Sequence, residues 1–447
     1  MDVTHKMMSY IRETLGVTAV WFSMAVPIVV GSVGLSVDIG QAYLVRERLV
    51  RAVDAAALAA AAMSSEDPQQ VEQKVRDFID ANYPEDKVGF TTDIEVVSTA
   101  ETVTVTAWAN LDPAFGHVLG KDHVEVRVES EVTKEVKAIE VVLVMDVTGS
   151  MSTNDNIATL RTAAENFVNT IFARVSNIDM IKIGLVPFSS SINVGSYGLG
   201  KTPGGLSYDV PFVNNPSNLK YSTTDSSAWG GCIIEGAYPD DIEDHVGPWD
   251  MYRYCRTSTG SRIRYCDPAR DSSYTSRNQN YLCPKTPVMP LTNNKTELVN
   301  SIRSLRAEGN TYINNGLTWG LRLISPEYPF TEGEAWSNQD WKKAIILMTD
   351  GESTMHRYYS IYGPTANHDI DASDLDGRIQ EVCSDLKEKG VLVYTITFDE
   401  GVSESTKYIF EECATQPSMW YDAPTQAKLI EVYQTIAKEL ANIHLSR

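Results

Sequence analysis

Residues 139–151 read IEVVLVMDVTGSM. Up to Asp146 the run is nearly continuous in apolar residues, the pattern of a strand buried on both faces. It then breaks into Asp146-Val147-Thr148-Gly149-Ser150-Met151. In an open α/β sheet, ligands gather at the carboxyl ends of the strands, where loops converge. An acid and two hydroxyls at alternating positions there supply three hard oxygen donors. Such donors suit Mg²⁺, which takes six oxygens and keeps some of its waters.

Working outward from this stretch, strands and helices alternate. IATLRTAAENFVNTIFARV (157–175) reads as a helix and IKIGLVPFS (181–189) as a second buried strand. KTELVNSIRSL (295–305) and INNGLTWGLRLI (313–324) read as helices, and KKAIILMTD (342–350) as a strand. A helix ending at Gly390, the strand VLVYTITF (391–398) and the helix SESTKYIFEECA (403–414) follow. The short strand MWYDA (419–423) and a final helix over 426–443 close the chain. This rhythm predicts an α/β fold, a doubly wound, mostly parallel, Rossmann-like sheet with helices on both faces. Two further oxygen donors fall where that topology would bring them. Thr311 lies in EGNTYINNGL, before a helix, and Asp350 lies in ILMTDGE, at the end of a buried strand.

These three segments together resemble the metal-ion-dependent adhesion site (MIDAS) of von Willebrand factor type A (vWA) domains. D-x-[S/T]-G-S-M, G-N-T-x-x-x-x-G-L and a buried strand ending in T-D-G carry the likeness. Asp146, Thr148, Ser150, Thr311 and Asp350 match the five metal-site positions, with Thr148 where Ser is commoner. The resemblance implies Mg²⁺, or Mn²⁺ or Ca²⁺, held by hydroxyls directly and by at least one carboxylate through water. It also implies a coordination position left open for a carboxylate on a protein partner.

The N-terminus has its own character. No charged residue occurs from Thr14 to Val37, and VTAVWFSMAVPIVVGSVGLSV (17–37) is long enough to span a membrane, about residues 15–37. Pro27 should kink that helix, which membrane spans tolerate. A cleaved signal peptide would have a shorter apolar core with a small-residue site directly after it. Here strong helix formers continue through residue 63. The segment GLSVDIGQAYLVRERLVRAVDAAALAAAA (34–62) resembles the N-terminus of TadE/TadG-like pilus-assembly proteins. True pilins place Glu five residues after a processing-site Gly, and the fifth position after Gly16 is Trp21. Pilin-like cleavage and packing into a fibre are therefore not expected.

Residues 64–136 read as a small α+β module: a helix over 68–82, period-two strands over 91–98, 101–109 and 123–133, and a short helix at DPAFGHVLG (112–120). The vWA part then runs over 137–447, interrupted at about 196–291 by an insertion rich in Gly, Ser, Tyr, Asn and Pro. The insertion holds Cys232, Cys255, Cys266 and Cys283; Cys383 and Cys413 lie outside it. Six cysteines without a CxxC pair or a His cluster fit disulfides better than zinc. Four cysteines allow three connectivities; a nested one, Cys255–Cys266 inside Cys232–Cys283, is favoured, with Cys383–Cys413 joining two helices. Asp240, Asp241, Glu243 and Asp244 beside His245 read as a solvated acidic loop or a calcium site. Tyr238, Trp249, Tyr252, Tyr254 and Tyr265 read either as a recognition surface or as the core of a stapled subdomain.

The net charge of -21 argues against a nucleic-acid partner. No HExxH, no G-x-x-x-x-G-K-[ST] and no G-x-S-x-G elbow occurs, so no enzyme is expected. Lys6 and Arg12 flank one side of the apolar span and Arg46, Arg48 and Arg51 the other, so charge does not orient it. The cysteines do, since disulfides persist outside the cytoplasm. The expectation is a single-pass protein of a bacterial inner membrane, N-terminus inside, with its bulk in the periplasm or at the cell surface. The whole arrangement resembles TadG-type proteins of tight-adherence (Tad/Flp) pilus systems. That implies a metal-dependent binding module in pilus biogenesis, adhesion or biofilm formation, with pilus or other envelope proteins as partners. The alternatives are a structural, pseudopilin-like scaffold with a non-essential metal site and, more remotely, a metal-dependent hydrolase.

Overall fold

The computed structural model describes residues 3–61, 68–83, 89–99, 102–116, 120–133, 137–175, 177–225, 227–256, 263–265, 280–356, 360–363 and 370–445. The chain divides into two compact units, 1–136 with 445–447, and 137–444.

In the first unit, α1 (Val3–Ala61) is one long helix with Pro27 inside it. From Val20 onward it is long and apolar enough to cross a membrane, by length and composition, with a mean hydropathy of 1.9 over its most apolar window. Trp21, Phe22 and Ile28 are more than two-thirds exposed, as a lipid-facing surface requires. Its far end is different. Val45, Leu49, Val53, Ala56, Ala57 and Ala60 are buried in a core shared with α2 (Pro68–Asn82) and an antiparallel sheet. That sheet runs β1 (Phe90–Ser98), β2 (Thr102–Leu111), β3 (Val124–Thr133), in that order. The alanine-rich end of α1 is thus part of the module's core: small side chains let the sheet approach closely. Asp38 is buried and accepts hydrogen bonds from the backbone N–H groups of Ala114 (2.8 Å) and Phe115 (3.1 Å). Residues 112–115, expected to begin a short helix, form a turn, with Asp38 taking the amide groups that a helix start leaves free. Residues 117–119 of that expectation lie outside the described residues.

The second unit is built on a six-stranded sheet. Its parallel part comprises β4 (Ala138–Asp146), β5 (Ile181–Phe188), β12 (Trp341–Thr349), β13 (Leu392–Phe398) and β14 (Trp420–Ala423). With the edge strand β11 (Met289–Thr292) the order is β11-β5-β4-β12-β13-β14. β4 is central and every one of its residues is buried, as its apolar run predicted. Helices cover both faces. Leu160, Phe167 and Ile171 of α3 (Asn156–Arg174) share one core with Leu298 of α4 (Lys295–Ser304) and Tyr433 of α8 (Gln426–Leu445). Leu317 and Leu321 of α5 (Ile313–Ile324) share the opposite core with Ile379 of α6 (Ala372–Glu388) and Phe410 of α7 (Glu404–Cys413). This is a doubly wound α/β sheet. Every residue of α5 is buried. Gly316 and Gly320 make that fit: a Cβ at either would stand 2.5 Å from the Phe188 ring or 2.7 Å from Val144.

β11 pairs antiparallel with β5 and belongs to the main sheet, although it begins inside the stretch read as an interruption. Pro290 hid it: proline cannot donate to a ladder and is confined to edges, and this strand is an edge. The insertion contributes a small sheet of β6 (Val213–Asn214), β8 (Trp249–Met251) and β7 (Ile233–Ile234), and a pair β9 (Tyr254–Arg256) with β10 (Ile263–Tyr265). Cys232–Cys283 and Cys383–Cys413 are disulfides, with Cα separations of 5.8 and 5.2 Å. The second joins α6 to α7, as expected. The Cys255–Cys266 pairing lies outside the described residues.

Candidate functional site

The sheet places the ends of β4 and β12 side by side. They run parallel in register up to Met145 opposite Met348, so Asp146 and Thr349 emerge next to each other at the carboxyl edge. The Thr349 hydroxyl donates to Asp146 Oδ2 at 2.6 Å, and the Thr148 backbone N–H donates to Asp146 Oδ1 at 2.8 Å. Thr148 Oγ1 and Ser150 Oγ are hydrogen-bonded at 2.9 Å. Ser150 Oγ donates in turn to Asp350 Oδ1 at 2.6 Å. Four of the five residues singled out in the sequence therefore form one hydrogen-bonded cluster.

The third loop is docked on the first by its backbone. Gly149 N–H donates to Gly309 O (2.9 Å) and Glu308 N–H to Val147 O (2.8 Å). Gly309 has φ +93°, a left-handed conformation that glycine adopts without strain. A Cβ there would also stand 2.7 Å from Ser190 Oγ. That hydroxyl holds the next residue, accepting from Asn310 N–H at 2.7 Å. Two residues on, Thr311 is fixed through its backbone: its N–H donates to Thr354 Oγ1 at 2.9 Å, and its carbonyl accepts from Thr354 N–H at 2.8 Å. Among the described residues no hydrogen bond occupies the Thr311 hydroxyl. Thr349, Ser190 and Thr354 support the site and were not singled out in the sequence. Thr349 stood in plain view in T-D-G, but its partner strand had to be known first.

The electrostatics are unusual. Asp146 is fully buried, and Thr148, Thr311 and Asp350 are nearly so, while Ser150 is exposed. Burial raises the Asp146 carboxyl above the ordinary carboxylate range, against the hydrogen bonds from Thr148 and Thr349. Burial, then the neighbouring charges of Asp146 and Asp399, push Asp350 up to about 7, against the Ser150 bond. Among the described residues no Lys or Arg pairs with either carboxylate. Ser189 Oγ and Glu308 Oε1, on the flanking loops, are also buried without a hydrogen-bond partner. Two buried acids with surrounding hydroxyls and no cation match the donor chemistry of a hard divalent ion. Among the described residues no three His, Cys, Asp or Glu side chains gather as a ligand set. A cation here would therefore lean on hydroxyls and water as well as on acids.

The acidic loop of the insertion differs from its expectation as a solvated segment. Asp241 is buried and takes Arg378 Nη1 at 2.5 Å and the Tyr362 hydroxyl at 2.7 Å. Asp244 is bonded by the Ser325 hydroxyl. Trp249, Tyr252 and Tyr254 are buried, so these three are subdomain core, while Tyr238 is 54% exposed.

Two family models match parts of the chain. Residues 16–63 match the Tad family, Flp pilus-assembly TadE/G-like, and residues 280–435 match the von Willebrand factor type A domain. No curated protein matches. Similar solved structures include the pilus adhesin SpaC from Lactobacillus rhamnosus GG, at 14% identity and a TM-score of 0.38 over 80% of this chain and 35% of that one. The vWF domain of the type V pili tip protein Mfa5 from Porphyromonas gingivalis is 11% identical, at a TM-score of 0.38, over 70% of this chain and 97% of that one. Proximal thread matrix protein 1 from the mussel byssus, with a zinc-occupied MIDAS motif, is 16% identical, at a TM-score of 0.35, over 69% and 48%. The chain thus spans about a third of SpaC and about half of the byssus protein. The chain thus carries a TadE/G-like segment over residues 16–63 and a von Willebrand factor type A match over residues 280–435.

Proposed function

We propose that this protein is a membrane-anchored, non-enzymatic binding module whose strand-end cluster takes a divalent cation and uses it to capture a carboxylate on a protein partner. The observation that carries the reading is the charge deficit: Asp146 and Asp350 are buried together with hydroxyls around them and, among the described residues, no cationic side chain against either. Asp146, Thr148, Ser150, Thr311 and Asp350 would hold the ion, with Mg²⁺ first and Mn²⁺ or Ca²⁺ as substitutes. When bound, the ion supplies an electrophilic position for an incoming carboxylate oxygen.

The chain's own residues do the rest. Thr349 and the Thr148 amide fix the Asp146 carboxylate, and the Gly149–Gly309 hydrogen bond holds two loops in register. The TadE/G-like segment favours pilus or other envelope proteins as partners, in pilus biogenesis, adhesion or biofilm formation. The apolar helix would hold the protein in the bacterial inner membrane with its N-terminus inside, and the disulfides favour an oxidising compartment for the rest.

The test is Asp146→Ala in cells that make the pilus. Pilus assembly or adhesion should fall to the level of a strain lacking the protein, with the variant present at normal abundance. Full assembly and adhesion by a stably made variant would refute the reading.

A further inference from the structure

The insertion contains a cavity that the strand-end cluster does not use. It has a volume of about 660 Å³, within the range of about 300–1,000 Å³ common for small-ligand clefts. Lys201 and Lys220 line it, and none of the described lining residues is acidic. In a chain of net charge -21, two lysines facing one cavity without an acid are a local reversal of sign. Neither lysine forms an ion pair with a described residue, so their charge is available to a ligand.

The rest of the lining is mixed. Ser196 is 8% exposed, and its hydroxyl is buried without a hydrogen-bond partner. Such a group costs free energy unless something bonds to it. Asn218 adds an amide group, while the Asn215 amide is already engaged on both atoms by the Leu219 backbone (2.9 and 2.8 Å) and Thr202 Oγ1 accepts from Leu206 N–H at 3.2 Å. Pro203, Pro211 and Leu219 add flat apolar surface, with the ring of Tyr221 beside them. The 200–208 hairpin is held closed by its own backbone, Thr202 N–H to Leu206 O and Tyr208 N–H to Gly200 O, both 2.9 Å. Next to the cavity, Leu206 and Val210 are 73% and 66% exposed.

Cationic groups, neutral hydrogen-bonding groups and flat apolar surface together match one ligand chemistry. A carboxylate would pair with the lysines, ring hydroxyls with the Ser196 hydroxyl and the Asn218 amide, and the C–H face of a pyranose with the proline and tyrosine rings. We infer that the insertion carries a second binding site, for an acidic sugar residue, separate from the strand-end cluster.

The full-length protein in detergent would be titrated by calorimetry with D-galacturonic acid, trigalacturonate, D-galactose and inorganic phosphate. Galacturonate should bind saturably, more tightly than galactose and phosphate, and more weakly as salt rises. Lys201→Gln with Lys220→Gln should weaken it by about three- to tenfold with the unfolding midpoint unchanged, as exposed charge pairs do. Binding should persist in EDTA and in Asp146→Ala, so this site can fail or stand independently of the strand-end cluster. Tighter binding of trigalacturonate than of the monosaccharide would support the site and assign it to a polymer. Binding of the monosaccharide alone would support it and assign it to a free sugar. Equal binding of galactose, equal binding of phosphate, no saturable binding, or an unaffected double-lysine variant would each overturn the inference.

Discussion

Among the buried carboxylates in the vWA part of the chain, two groups are neutralised in opposite ways. Beneath the insertion, Glu235 takes Arg322 Nη1 at 2.8 Å and the indole N–H groups of Trp249 (2.7 Å) and Trp319 (2.9 Å). Asp241 takes Arg378. Each acid there has its own cation from the chain. At the strand ends, among the described residues, Asp146 and Asp350 have only hydroxyls and amides as partners. The difference is the cation: Asp241 Oδ1 is also buried without a hydrogen-bond partner, but its carboxylate has Arg378 on the other oxygen. A buried charge without a partner is expensive, and under the proposed function this difference separates a structural cluster from one that an external cation would complete.

The comparison can be broken by mutation, and the largest effect should be beneath the insertion. Arg322→Ala leaves Glu235 charged, buried and unpaired. It should lower the unfolding free energy by about 3–5 kcal/mol, measured by denaturant titration. A loss no larger than that of a surface arginine would mean the pair is not what holds the insertion to α5. Next comes the Cys232–Cys283 link. Replacing both cysteines by serine should cost about 2–4 kcal/mol, with the insertion opening first to proteolysis. Loss of protection elsewhere before the insertion would contradict this.

At the strand ends the sign should reverse. In EDTA, Asp350→Asn removes a charge repelled by Asp146, and stability should hold or rise, by about 1 kcal/mol. If it instead falls by the several kcal/mol expected of a broken ion pair, a cationic partner must exist that the comparison lacks.

The smallest effect is the pH dependence. Burial and Asp146 raise Asp350 to about 7, above its unfolded value. A carboxyl with a raised folded value destabilises the charged form, so metal-free protein should gain stability as pH falls from 8 toward 6, before other acids titrate. Glu235 behaves oppositely. Burial alone would raise it, but Arg322 and the two indoles hold it below the ordinary value. Its contribution is present above the unfolded value and is lost only as pH falls through the lower folded one. Thermal melts in EDTA at pH 6 and 8 should therefore differ in wild type and converge in Asp350→Asn.

The contrast also shows what a sequence can and cannot carry. The strand-end cluster was legible because its residues sit at the ends of apolar runs: Asp146 after IEVVLVM and Asp350 after AIILMT, with topology supplying their proximity. The helix over 313–324 and the Cys383–Cys413 link between two helices were legible for similar local reasons. The insertion was not. Asp241 meets Arg378 across 137 residues, and Glu235 meets Arg322 across 87. Nothing local separates a paired buried acid from a solvated one, so Asp240 to His245 read as a solvated acidic loop or a calcium site. The edge strand at Met289 was hidden by Pro290 and by its brevity. The core role of residues 45–61 of the first helix was hidden because alanine is equally at home in an exposed helix.

The most direct measurement is a calorimetric titration of the metal-stripped, full-length protein with Mg²⁺, in wild type and in Asp146→Ala. The account predicts saturable uptake at a single site in wild type, a rise in the unfolding midpoint with added Mg²⁺, and loss of both in the variant. Uptake of equal strength in the two proteins, or none in wild type for Mg²⁺, Mn²⁺ and Ca²⁺ alike, would contradict the claim that an external cation completes the strand-end cluster.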